Sequence, residues 1–346
     1  MSETQPLPGA VPAAVPGAVP AAVPAAVPGP AVNGALRVSF LGPFGTFSEQ
    51  AAREVVPNGA ELIPATGVEA ALAMVRTGAA DRAVVPIENS VEGGVNATLD
   101  TLAHGQPLTI VGEILVPIAF SLMVRPDSGL SLGDVKRIGT HPHAWAQTRG
   151  WIESNIGNKV VHIPTTSTAE AAKLLMEDPA CGYDAALCSA VSAASYGGTV
   201  LAAAIADDPS AQTRFVLVSP PGAIPPATGA DKTTVQVTLP GNESGALLSM
   251  LEQFSARGVN LSRIESRPVG GHFDRYAFSI DIEGHVSEER VKDALIGLHR
   301  TCPEVRFLGS YPRVDRARTQ IVRGTANMDF ATARAWLDEV VAGRAV

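Results

Sequence analysis

Leu36-Arg37-Val38-Ser39-Phe40-Leu41, then Gly42-Pro43-Phe44-Gly45, then Thr46-Phe47-Ser48-Glu49: in one short stretch the chain spells a strand, a turn and the opening of a helix. The first segment is an apolar, β-rich run, the second is turn chemistry, and the third is a capping box, in which a hydroxyl and a carboxylate satisfy backbone N–H groups at a helix start. From here the chain alternates short apolar strands with amphipathic helices, which argues for an α/β sheet with crossover helices. The same box recurs in Thr66-Gly67-Val68-Glu69 and Ser167-Thr168-Ala169-Glu170. Each predicts a helix start whose free N–H groups and dipole can hold an anion, although most such boxes only cap.

Working outward, Arg82-Ala83-Val84-Val85-Pro86-Ile87 reads as another strand, and it delivers Glu88-Asn89-Ser90 to a Gly93-Gly94 turn. Ligands of open α/β sheets bind at the carboxyl ends of strands, so these three polar side chains stand where a ligand would. Arg137-Ile138-Gly139-Thr140 leads to His141-Pro142-His143, with Pro142 suited to the first turn of a helix carrying Trp145, Gln147 and Trp151. Histidines at i and i+2 do not share a helical face, so a metal pair is not supported. Ala185-Ala186-Leu187-Cys188 is a further buried strand, before a small-residue helix ending near Tyr196-Gly197-Gly198. In Gln212-Thr213-Arg214-Phe215-Val216-Leu217-Val218 a hydroxyl and a guanidinium stand at the mouth of a buried strand. Alone, that pattern reads most simply as a strand end whose Arg reaches solvent.

Composition bounds the alternatives. With 346 residues there is room for two or three domains, and 46% hydrophobic with 17% charged residues describes a globular chain. The net charge is −8 with both signs scattered, and no basic block argues for nucleic acid. No apolar window is long enough for a membrane span. Cys181, Cys188 and Cys302 lack metal spacing and cannot all pair, which favours a reducing cytoplasm and a role as core residues. From Pro8 to Pro28 a proline returns every fourth residue, so residues 1–34 read as a disordered Pro/Ala-rich tail without signal-peptide character.

After Val218 a Pro-rich link at 221–231 marks a boundary. Residues 232–312 read strand, helix, strand, strand, helix, strand, a ferredoxin-like order. Ala246, Leu247, Met250, Leu251 and Phe254 make one helical face, and Tyr276, Phe278, Ile280 and Ile282 alternate along a strand. In the 313–346 extension, Phe330, Ala333, Trp336, Leu337, Val340 and Val341 follow a helical spacing behind Asp329.

In order, Leu41-Gly42-Pro43-Phe44-Gly45-Thr46-Phe47-Ser48, Pro86-Ile87-Glu88-Asn89-Ser90 with Gly93, His141-Pro142 with Gln147, Ser167-Thr168-Ala169, the Ala185-Ala186 strand leading to Tyr196-Gly197, and Thr213-Arg214-Phe215 resemble prephenate dehydratase. The resemblance covers roughly residues 36–312. Two positions depart from the family's usual pattern: Ala211 where it has Asn, and Thr148 where it often has Cys. The resemblance implies a two-lobed, periplasmic-binding-protein-like catalytic domain over 35–220. Lobe one spans about 36–115 and 205–220, and lobe two about 116–204. Gly245-Ala246-Leu247, Gly258-Val259-Asn260-Leu261 and Glu265-Ser266-Arg267-Pro268 look like the family's ACT regulatory domain. By that likeness Gly245, Ala246, Leu247, Asn260, Glu265, Ser266, Arg267 and Pro268 bind phenylalanine between paired subunits, as a homodimer or homotetramer.

Prephenate is a cyclohexadiene carrying a ring carboxylate, a pyruvyl side chain and, across the ring, a hydroxyl. Losing carbon dioxide and water aromatises it, so the chemistry asks for no redox cofactor or metal. It asks for two carboxylate holders and a hydrogen-bond donor at the departing hydroxyl. Arg214, with Thr46, Ser167 and Thr168 at the helix openings, are the candidate holders. The resemblance adds Phe215 and Gln147 to the substrate contacts and makes Thr213 the donor, with Glu88, Asn89 and Ser90 around it. Glu88 is a candidate to supply or relay the proton if burial raises its pKa. Thr213 and Arg214 are expected to face the cleft together. The rival readings are an arogenate dehydratase, which meets an ammonium where prephenate has a keto group, and a non-catalytic amino-acid sensor.

Overall fold

The computed structural model describes residues 35–268 and 275–344; the proline-repeat tail lies outside the described residues. The opening strand, turn and helix form as the sequence predicts: β1 (Arg37–Leu41) runs into a turn, and α1 (Phe47–Val55) starts with Thr46 Oγ1 accepting from Glu49 N. After them come β2 (Glu61–Ala65), α2 (Val68–Thr77), β3 (Arg82–Asn89), the short β4 (Gly93–Gly94), α3 (Asn96–Ala103) and β5 (Thr109–Pro117). The box expected at Thr66 is not made: α2 is capped at Gly67 without a side-chain bond.

The chain then crosses to a second sheet. It is built from β6 (Phe120–Val124), β7 (Arg137–Thr140), α4 (Pro142–Ala146), α5 (Arg149–Asn155), β8 (Val161–Pro164), α6 (Thr168–Glu177), β9 (Ala185–Ser189), α7 (Ala190–Tyr196) and β10 (Thr199–Ala202). The single helix expected through Trp145 and Trp151 is two. Thr148 Oγ1 bonds back to the Ala144 carbonyl at 2.8 Å, and the Asp207 carboxylate takes the N–H groups of Gly150 and Trp151 at 2.9 and 2.7 Å, capping a new helix start.

Ile205 and Ala211 still pack in the core of this second lobe, and the chain recrosses at β11 (Gln212–Ser219). That return strand enters the first sheet between β3 and β5, antiparallel to both, giving the order β2-β1-β3-β11-β5. The second sheet has the order β10-β6-β9-β7-β8. Two strand crossings joining two α/β lobes make a hinged, two-lobed body.

The C-terminal domain is β12 (Asp231–Thr238), α8 (Ala246–Ser255), β13 (Leu261–Pro268), β14 (Tyr276–Glu283), α9 (Glu289–Thr301) and β15 (Glu304–Pro312). Its antiparallel order β13-β14-β12-β15 is ferredoxin-like. Val235, Val237, Phe278, Ile280 and Ile282 face α8 and α9 in an apolar core. The helix-free face carries Thr234, Asp281, Arg263 and Tyr311 and packs on lobe one. There the chains approach so closely that a Cβ on Gly309 would lie 2.1 Å from the Ile110 carbonyl oxygen, so only glycine fits. The last helix, α10 (Asn327–Val341), starts with Asp329 Oδ2 accepting from Ala326 N at 2.9 Å. Among the described residues no helix is long and apolar enough to cross a membrane.

Candidate active site at the lobe seam

Thr213 is the second residue of the return strand, where the chain has just recrossed from lobe two. Ser90 and Gln212 pin that crossing with two bonds, Ser90 N to the Gln212 carbonyl and Gln212 N to Ser90 Oγ, both 2.9 Å. β11 and β3 pair Thr213 with Asn89 and Arg214 with Glu88, then Phe215 with Pro86. Ile87 is therefore an extra residue, a bulge that re-aims the end of β3.

Asn89 Nδ2 donates to Thr213 Oγ1 at 2.8 Å. The amide cannot be reversed, because its Oδ1 already accepts from Val91 N at 2.8 Å and Glu92 N at 3.2 Å. A hydroxyl has one proton to give, and Asn89 occupies one of its acceptor positions. The Thr213 proton is therefore left for another acceptor. Thr213 itself is only 8% exposed, so such a bond would form largely out of water.

Arg214 goes the other way. Successive side chains on a strand point to opposite faces, and the guanidinium meets three carboxylates: Asp281 Oδ2 at 2.5 Å, Glu113 Oε2 at 2.9 Å and Glu88 Oε2 at 3.1 Å. Asp281 is in turn held by Arg263, at 3.0 and 3.2 Å, and by Thr234 Oγ1 at 2.8 Å. Lys232 Nζ and Val314 N complete Glu113, at 2.9 and 3.0 Å. Burial alone would raise the Asp281 pKa, but the charges of Arg214 and Arg263 outweigh it and hold this carboxyl well below the usual range. Burial also pushes the Tyr311 phenol, beside Thr234, far up.

Three expectations are corrected here. Arg214 does not share a face with Thr213, because adjacency on a strand separates the two side chains, and its two terminal nitrogens donate to Glu113 and Asp281 while Nε lies near Glu88 without a hydrogen bond. Glu88 shares the Arg214 face, so no relay from Glu88 to Thr213 exists in this geometry. Phe215 is also displaced from the substrate contacts: it is 2% exposed and packs with Val38, Phe40 and Leu217.

The lobes meet through a few mostly neutral contacts, two of them buried. Ser189 Oγ and Ser192 Oγ donate to the Gly45 carbonyl at 2.9 and 2.6 Å, and Tyr196 OH to the Phe44 carbonyl at 3.2 Å. Gly45 has φ +88, and a Cβ there would lie 2.9 Å from Ser192 Oγ and 3.5 Å from the Ala169 methyl, so a side chain would wedge the lobes apart. This approach sets the starts of α1 and α6 side by side. The hydroxyls of Thr46 and Ser167 are spent as caps there, while Thr168 is the half-buried first residue of α6. On the other side of the seam Glu92 receives His143 Nδ1 at 2.8 Å and Gln147 Nε2 at 3.2 Å. Gln147 Oε1 is buried without a partner.

The residues expected to bind an effector divide in the same way along β13. Glu265 and Arg267 point at lobe one: a Cβ on Gly94 would lie 2.7 Å from Glu265 Oε1, and Arg267 grips Asp100 of α3 at 2.6 and 3.0 Å. Ser266 and Pro268 are exposed, as are Leu247 and Asn260; Ala246 is half-buried, and Gly245 caps α8 with φ 87. Glu92, Glu113 and Asp281 were not anticipated as parts of these seams. For two of them a signal existed: a carboxylate in the middle of an apolar run, Glu113 within Thr109–Pro117 and Asp281 between Ile280 and Ile282, demands a buried cation.

Fold and site together define a hinged, two-lobed α/β protein with a ferredoxin-like domain fixed to the back of lobe one. The prephenate dehydratase family model matches residues 38–223, more than half of the chain. A prephenate dehydratase of Amycolatopsis methanolica is 44% identical over 309 residues, 89% of this chain and 98% of that protein. The chain belongs to the prephenate dehydratase family, whose members are carbon–oxygen lyases. Among solved structures, the prephenate dehydratase of Arthrobacter aurescens in complex with L-Phe superposes with a TM-score of 0.83 at 52% identity, covering 88% of this chain and 99% of that one. A second, described as the quorum quenching acylase GqqA, has a TM-score of 0.70 at 32% identity, covering 80% and 97%.

Proposed function

We infer that this chain converts prephenate to phenylpyruvate and that Thr213 is the group that meets the departing hydroxyl. The C–CO2 bond breaks, its electron pair enters the ring, and the C–O bond across the ring breaks. The leaving oxygen takes up a proton and departs as water. An unperturbed threonine is a poor acid, so its role is an oriented hydrogen bond to the oxygen as negative charge develops, worth on the order of 3 kcal/mol. The proton that the leaving oxygen takes up comes from solvent, and the threonine keeps its own. The observation that carries this reading is the Asn89–Thr213 bond, whose fixed direction leaves the threonine proton free.

The paired starts of α1 and α6 supply N–H groups for the substrate's carboxylates, the duty that Arg214 does not perform here. Gln147 Oε1 is a buried acceptor available to a substrate hydroxyl. The test is turnover of prephenate by Thr213→Ala, read as phenylpyruvate. Loss on the order of 100-fold in kcat with KM little changed supports the role, and wild-type kcat refutes it. Running arogenate in parallel settles the amino versus keto preference, and absence of phenylpyruvate from the wild-type protein would leave the sensor reading standing.

The Arthrobacter aurescens relative was solved with L-Phe, and the same ligand is the proposed effector here. The start of α8 with Asn260 and the exposed side of β13 forms its site, completed by a second copy in a homo-oligomer. A cytoplasmic setting fits the three unpaired cysteines. L-Phe that changes neither turnover nor Tm at millimolar concentration removes the regulatory part of the reading.

A further inference from the structure

The helix-free face of the C-terminal sheet does more than lean on lobe one, because it completes the coordination of a residue adjacent to Thr213. We propose that Asp281 is a positioning residue for the dehydration, holding Arg214 and through it the backbone that carries Thr213. This rests on the reading of Thr213 given above.

The start of β11 is held laterally by the Asn89 and Ser90 contacts on β3 and, on the opposite face, by the Arg214 side chain. Of the three carboxylates on Arg214, Asp281 is the stiffest anchor. It is fully buried and triply held, by the two-pronged Arg263 contact and by Thr234. Glu88 is partly exposed at the seam, with 37% of its side chain accessible. Glu113 divides its two oxygens among Arg214, Lys232 and Val314 N. The charges close on themselves: Arg214, Arg263 and Lys232 against Glu88, Glu113 and Asp281. Removing the Asp281 charge leaves Arg214 drawn to the remaining carboxylates, both on lobe one. That moves the guanidinium and tilts the peptide shared with Thr213. A hydroxyl misplaced by a fraction of an ångström from the departing oxygen loses much of its transition-state bond while the substrate's carboxylates are still held, so the effect falls on kcat rather than KM.

The experiment is a kinetic double-mutant comparison on the full-length enzyme, with Asp281→Asn made in the wild-type and in the Thr213→Ala background and folding checked by thermal melts. The expected result is a fall in kcat on the order of tenfold in the wild-type background, with KM within about twofold, and no further fall once Thr213 is alanine. An equal fall in both backgrounds overturns the proposal, because Asp281 would then act without Thr213; so does an unchanged kcat. Thr213→Ala with wild-type turnover condemns the Thr213 reading instead, and is seen separately. Should Asp281→Asn fail to fold, Arg263→Lys decides. It replaces the two-pronged hold on Asp281 by a single one, and is expected to reproduce a smaller fall, about threefold, with the same dependence on Thr213.

Discussion

The two seams of lobe one are built from opposite chemistry. Toward lobe two the contacts are hydroxyls on carbonyls and one partly exposed carboxylate, Glu92, that receives His143 and Gln147. Toward the C-terminal domain lies a set of three cations and three carboxylates, largely buried except for Glu88. Parting neutral hydrogen bonds strands no charge, so the first seam can open to admit a ligand at a smaller cost. A buried ion cluster cannot be parted without stranding charges, so the second seam stays shut. β11 belongs to both, with Thr213 on the side that opens and Arg214 on the side that does not. The proposed catalytic hydroxyl is thus mounted on the wall that stays shut.

The sharpest way to break this comparison is to remove the cation at its centre. Arg214→Ala leaves Glu113 and Asp281 buried with fewer partners, and a stability loss of about 3–5 kcal/mol is expected from urea unfolding at neutral pH. A loss within about 1 kcal/mol would mean that the back wall is not held by charge. Next in size, Asn89→Ala frees the acceptor side of Thr213 and lets its hydroxyl rotate. The expected fall in kcat is about tenfold to 100-fold with a melting temperature close to wild type, since this contact lies on the opening seam. A large drop in melting temperature with kcat preserved would reverse the assignment of the two faces.

Much of this layout was legible locally. The strand–turn–helix opening at Leu36–Glu49 and the box at Ser167 are fixed by neighbours in sequence, and both formed. The opposite directions of Thr213 and Arg214 were legible too, because a strand's period of two separates adjacent side chains; shared polarity had suggested a shared cleft instead. What local pattern could not supply is partnership across the chain. Arg214 meets Glu113 and Asp281, which lie 101 and 67 residues away, and the bulge at Ile87 that turns Glu88 toward it depends on pairing with β11. Thr66 shows the converse: a motif satisfied on paper was passed over, and the cap fell to Gly67.

A pH titration sharpens the contrast at smaller cost to the protein. Asp281 has its folded pKa depressed by Arg214 and Arg263 against the opposing effect of burial. Its contribution to stability is therefore complete above the ordinary carboxylate range and is lost as pH falls from about 4 toward the folded value. Unfolding free energy should decline steeply below about pH 4, and Asp281→Asn should flatten that limb while leaving the slope near neutrality unchanged. Equal slopes in the two proteins would remove Asp281 from the acid response.

The smallest effect belongs to the rim of the opening seam. Glu92→Gln keeps an acceptor for Gln147 but removes the charge that faces His143, whose side chain is 65% exposed. Exposed pairs of this kind contribute at most about 1 kcal/mol, so the melting temperature should barely move. If the lobes close over substrate by remaking this contact at each binding event, losing its charge should raise KM by a few-fold and leave kcat alone, since the contact is equally present in the ground and transition states. A fall in kcat with KM unchanged would place Glu92 against the reacting ring, and the opening seam would then carry chemistry beyond Thr213 and Asn89.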